Sequence, residues 1–78
     1  MTANETIRVT NLEVGTCMFW TLTDDSGSRR MRTNESFTGC YEQVAETQWK
    51  QILGTSQFNL NGRSLASVRS YIRKKFSN

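Results

Sequence analysis

The chain has 78 residues, 36% of them hydrophobic and 22% charged, with a formal charge of +3. That length supplies material for one core rather than two, and the composition is neither membrane-like nor that of a disordered chain. No apolar run approaches the roughly 18 residues of a membrane span, and the absence of histidine removes the commonest general base and the usual partner of a Ser or Cys nucleophile.

Ile7 and Val9 alternate with Arg8 and Thr10, which predicts a short strand with one buried face. Val14-Gly15 reads as a turn. Thr16 to Thr23 is dense in aromatic and β-branched residues, which favour a pleated surface, and Asp24-Asp25-Ser26-Gly27 has the chemistry of a tight turn. Ser28 to Thr33 then returns as the partner strand. With a two- or four-residue loop, this hairpin places Met18, Trp20, Leu22 and Met31 on one face and Phe19, Thr21, Arg30 and Arg32 on the other.

Beyond a connection at Asn34 to Cys40, residues Tyr41, Val44, Ala45, Gln48, Trp49, Ile52 and Leu53 recur at helical spacing, and Gly54 is a natural helix stop. Glu46 and Lys50 stand four residues apart, oriented to support that helix. Gln57 to Gly62 reads as a short extra strand or an ordered loop ending in an Asn-Gly turn. Ser64 is a good N-cap, and Leu65, Val68, Ile72 and Phe76 gather on one side of a final helix. Its opposite side carries Ala66, Ser67, Ser70 and Lys74, flanked by Arg69 and Arg73.

The predicted architecture is therefore α+β in one domain over residues 1–78. A three-stranded antiparallel meander, with its hairpin at 16–33, precedes two helices at about 41–53 and 64–76, both packed on one sheet face. Trp49 and Ile52 from the first helix, with Val68 and Ile72 from the second, would cover Trp20.

Charge is unevenly spread. Residues 1–27 hold Arg8 against four acids, residues 28–50 balance four bases against three acids, and residues 51–78 hold Arg63, Arg69, Arg73, Lys74 and Lys75 with no acid. Such polarity favours an anionic partner on one side, either nucleic acid or an acidic protein surface. The glycines are scattered singly, without a phosphate-binding loop, and Asp24-Asp25 is turn chemistry rather than a carboxylate pair. Cys17 and Cys40 are too far apart for a paired-cysteine site and read as buried thiols, with a disulfide between them as the alternative, and the seven carboxylates lack EF-hand spacing. No catalysis, metal, cofactor, small-molecule substrate or membrane association is expected, and the polar start at Met1 to Glu5, which lacks the regions of a signal peptide, points to the cytoplasm.

The leading expectation is a nucleic-acid-binding or regulatory module that contacts phosphates through Arg63, Arg69, Arg73 and Lys74, with Arg30 and Arg32 assisting. Phe19 among guanidinium groups also suits base stacking. The alternative is a compact interaction protein, such as a small inhibitor or adaptor of phage or mobile-element type, that masks a surface of a host protein. The sequence leaves the oligomeric state open, and also whether the hairpin arginines and the terminal helix share one face.

Overall fold

The computed structural model describes residues 7–77. The start at Met1 to Glu5, on which the signal-peptide expectation rested, lies outside them. Five strands pair antiparallel in sequential order: β1 (Arg8–Val14), β2 (Met18–Asp24), β3 (Gly27–Arg32), β4 (Cys40–Ala45) and β5 (Gln48–Leu53). One helix follows, α1 (Leu65–Phe76). Among the described residues, no helix is long and apolar enough to cross a membrane.

The β2–β3 hairpin has the expected register, with Trp20 opposite Met31, Phe19 opposite Arg32 and Thr21 opposite Arg30. Its two-residue loop is closed by Asp24, whose Oδ1 accepts from the Ser26 amide at 2.9 Å and the Ser26 hydroxyl at 2.6 Å. Gly27 follows at φ +123°, a conformation that L side chains rarely adopt.

The expected helix at 41–53 is instead the β4–β5 hairpin, turning over Glu46-Thr47, so the sheet has five strands rather than three and one helix packs on it rather than two. The helical spacing misleads because it counts Val44, which is exposed, as core, whereas the strand face is carried by residues two apart, Tyr41 with Gln43 and Trp49 with Gln51. Pairing with β3 at Met31↔Glu42 and Arg32↔Tyr41 decides for strand. Neither Gly nor Asn marks the turn; a register shift between Gln43 and Ala45 and a bond from Gln43 Nε2 to the Glu46 carbonyl at 3.0 Å accommodate it. Glu46 and Lys50 therefore never meet as helical neighbours, and Lys50 stands opposite Glu42.

The core lies on the sheet face bearing Met18, Trp20, Leu22 and Met31, extended by Ile7 and Val9 from the β1 side. Phe58 and Leu60, in the irregular segment between β5 and α1, fill the space between sheet and helix. Phe58 stacks on Trp20 with ring centroids 5.8 Å apart, so Phe58, rather than Trp49, covers the central tryptophan. That segment is held by bonds from Gly39 N to Phe58 O (2.7 Å) and from Leu60 N to Phe37 O (2.8 Å), together with a Thr38↔Asn59 bridge. Fully buried apolar side chains such as these contribute about 1.5–3 kcal/mol each.

Buried at the sheet end, Thr33 accepts from the Met18 amide at 3.1 Å and donates to the Asn34 carbonyl at 2.9 Å. Cys17 and Cys40 are free thiols, both buried. Burial pushes the Cys40 pKa up to about 12, the nearby Arg29 acting more weakly in the other direction.

Helix α1 begins where its cap predicts, with the Ser64 side chain accepting from the Ser67 amide at 3.3 Å. Val68 and Ile72 are wholly buried, Tyr71 and Phe76 pack beside them, and Phe76 reaches Phe58 at 6.4 Å between centroids. Leu65, expected on the core stripe, is 56% exposed because it stands at the first turn, ahead of the point where the helix meets the sheet.

Candidate functional site

Strand side chains alternate between faces, so a helix packed on one face of a single sheet leaves the other face to solvent. Here that open face is not the featureless polar surface of many antiparallel sheets. It carries Phe19 from β2, Tyr41 from β4 and Trp49 from β5, all half-buried against one another and against Arg30 and Arg32 from β3.

Phe19 and Trp49 meet edge to face at 6.4 Å between centroids. Their strands stand three places apart in the sheet, about 14 Å if the sheet were flat at about 4.8 Å per place. They touch because the sheet curls toward this face and both rings lean inward. The bend has visible causes in a two-pair β3–β4 ladder and two register shifts in the β4–β5 ladder.

Arg32 occupies the middle of the hollow. Its guanidinium carbon lies 4.9 Å from the Trp49 centroid and 5.5 Å from that of Tyr41. It has no carboxylate partner among the described residues, and its Nε is buried without a hydrogen-bond partner among them. Arg32 also lines an open groove of about 580 Å³ with Thr16, Phe19, Asn34, Tyr41 and one carboxylate, Glu35, which forms no ion pair with it among the described residues.

Arg30 is more firmly tied. It lies 5.8 Å from the Phe19 centroid, pairs with Glu13 at 3.0 Å, and donates to the Asn11 carbonyl and the Thr21 hydroxyl at 3.3 Å each. Asn11 sits at φ +53° where the β1–β2 register shifts, and this irregularity brings its carbonyl within reach of Arg30.

Arg29, adjacent in sequence, points to the opposite face and is neutralised by Asp24 at 3.1 Å and Glu42 at 3.4 Å. Asp24 is held below its usual value of 3.8 by the Ser26 hydroxyl first, then the Ser26 amide, with Arg29 adding a smaller share.

The remaining expected binding residues lie elsewhere. Arg69, Arg73 and Lys74 are exposed on α1, whose buried side packs on the core face, so they look away from the sheet on the far side of the molecule from Arg30 and Arg32. The guanidinium of Arg63 lies 3.9 Å from the Tyr71 centroid, with its Nε donating to the Asn59 carbonyl at 2.9 Å. The two basic elements thus do not form one surface.

Helical spacing would put Tyr41 and Trp49 on one buried stripe, which hides them as surface rings. The signal was present as alternation, Tyr41 with Gln43 and Trp49 with Gln51, mixed aromatic and amide side chains on one strand face.

Chemically, the hollow offers aromatic faces and edges at half-exposed positions together with guanidinium donors in fixed places. Flat apolar groups carrying an anion match that combination. No protein-family model, curated protein or solved structure matches the chain, so this reading rests on the geometry of its own residues.

Proposed function

We propose that the protein is a small non-enzymatic module that binds single-stranded nucleic acid on the open face of its sheet, in the cytoplasm. Bases stack on Phe19, Tyr41 and Trp49, while Arg32 and Arg30 meet the phosphates that pass beside those rings. The observation that carries this reading is the position of Arg32: a guanidinium without a carboxylate partner among the described residues, between two aromatic rings and at the mouth of a groove. A guanidinium there is already oriented and partly desolvated, so it loses little freedom on meeting a phosphate.

A curled, narrow face suits a flexible single strand, whose bases can splay, better than a duplex whose bases are already stacked. Stacking of this kind is worth about 1–3 kcal/mol per base and is sequence-tolerant. Two arginines set a modest salt dependence, with a slope of log K against log salt of roughly −1.4 for a single strand.

The two tryptophans make the test direct, because Trp20 is wholly buried and Trp49 lies on the proposed face. Titration with single-stranded DNA, single-stranded RNA and duplex should quench Trp49 emission with single strands first. Unchanged emission and flat anisotropy with all three at low salt remove the proposal in favour of the competing one, in which the same face masks a host protein.

A further inference from the structure

We infer that the outer face of α1 is a second, separate binding surface for a nucleic-acid backbone, so that one molecule holds two strands, one on each side. The inference rests on the proposed function of the sheet face. Arg69, Arg73 and Lys74 are exposed, and helix α1 contains no acidic residue. None of the three makes an ion pair among the described residues. Arg63 and Lys75 add charge on the neighbouring Tyr71 side, at 3.9 and 5.4 Å from its ring centroid. Five cations between residues 63 and 76 without an acid constitute the strongest charge concentration in the chain.

The occupant follows from the side chains between the cations. Arg69 and Arg73 are one turn apart, about 6 Å along the axis. Around them lie Ala66 and Ser70, both exposed and small enough to let a phosphate chain approach the helix closely. The aromatic ring beside these cations, Tyr71, is half-buried, packed edge-on against Phe58 and covered by Arg63, so this face reads charge more than bases, unlike the sheet face. The helix is also fixed in place, because Val68 and Ile72 are fully buried and Tyr71 accepts from the Asn59 amide at 3.1 Å. The two surfaces are separated by the sheet, the Phe58 layer and the helix itself. That is more than the roughly 8 Å over which charge acts at physiological salt, so occupancy of one does not repel the other strongly.

The experiment uses the full chain and two non-complementary oligothymidines, one carrying a donor dye and one an acceptor, at one protein per two strands. Energy transfer reports bridging, and Trp49 quenching separately reports the sheet face. Transfer should appear with the natural chain and, with about three phosphates engaged, fall roughly 20-fold in affinity between 50 and 200 mM salt. The triple variant R69Q/R73Q/K74Q should lose transfer while keeping Trp49 quenching at unchanged affinity, and R69K/R73K should retain both. Transfer that survives in the glutamine variant overturns the inference, since bridging then comes from self-association. Quenching without any transfer in the natural chain overturns it too, leaving the sheet face standing. Transfer without Trp49 quenching overturns the sheet-face reading and the two-sided arrangement with it.

Discussion

Trp20 and Trp49 lie on opposite faces of one sheet, and the difference in what surrounds them separates the residues that hold the fold from those available for binding. Trp20 is wholly buried, stacked on Phe58 and backed by helix α1 through Val68 and Ile72. Trp49 is half-buried, touched edge-on by Phe19 and overlain by Arg32. The first ring packs against Phe58 and the apolar core, its Nε1 without a hydrogen-bond partner among the described residues, whereas the second shares its face with a cation. A ring that serves stability is covered by other carbon; under the proposed function, Trp49 is left with one side open and a charge nearby for a ligand.

The comparison breaks most easily on the buried side. Phe58→Ala removes the ring that joins sheet and helix and should cost about 3–5 kcal/mol. A domain of this size has a total stability of roughly 4–12 kcal/mol, so urea unfolding followed by circular dichroism should show a chain partly unfolded near 37 °C. A urea midpoint equal to the natural protein's would mean that the helix is not seated on the sheet through this ring.

Thr33→Val is the next largest, because it keeps the shape and removes the hydroxyl that satisfies the Met18 amide at 3.1 Å. A buried amide left without an acceptor costs about 1–3 kcal/mol. Since Thr33 closes the end of β2 beside the groove, amide hydrogen exchange at Met18 should accelerate in step with the loss measured by urea.

On the open face the prediction changes kind. Trp49→Ala loses one edge-to-face aromatic contact and one cation–π contact, about 1–2 kcal/mol of stability together, and leaves the fold intact. Its effect on single-strand affinity should be at least as large, a 5- to 150-fold loss. Acrylamide should quench the natural protein more than the Trp49→Phe variant, in which only Trp20 emits. Equal losses of affinity from Trp49→Ala and from a stability-matched core variant would erase the distinction between the two faces.

The legibility of these faces in the sequence differs for a physical reason. In the β2–β3 hairpin the loop chemistry of Asp24 to Gly27 fixes the register, and register alone sorts Trp20 from Phe19 and Met31 from Arg30 and Arg32. Helix α1 is equally legible, because its cap and four-residue spacing are local. The β4–β5 hairpin has no such loop signal; Tyr41, Val44, Ala45, Gln48 and Trp49 fit a helix as well as a strand, and only pairing with β3, a non-local interaction, resolves them. Three of the five candidate-site residues, Phe19, Arg30 and Arg32, lie in the legible hairpin, and two, Tyr41 and Trp49, in the ambiguous one. Whether hairpin and helix share a side is likewise a tertiary fact, decided by which sheet face Val68 and Ile72 cover.

The smallest effect concerns Asp24, at the edge between the two faces. Hydrogen bonds from the Ser26 hydroxyl and amide, and more weakly Arg29, hold its pKa below the ordinary 3.8. A depressed carboxylate pKa means that the unfolded chain binds the proton more readily than the folded one. The associated stability is therefore present above about pH 3.8 and is lost as pH falls through the lower folded value. Asp24→Asn removes this ionisation, so the stabilities of natural protein and variant should converge progressively as pH drops below 3.8. The carboxylate is half-buried and still reached by solvent, so the divergence near neutrality should be small and should shrink further in salt, which screens the Arg29 contribution. A gap between the two unfolding curves that stays constant from pH 7 to pH 2 would show that Asp24 shapes the loop through geometry alone. The Arg29 ion pairs would then be surface pairs of negligible consequence, and the neutralisation of Arg29, in contrast to Arg32, which has no carboxylate partner among the described residues, would have no energetic meaning.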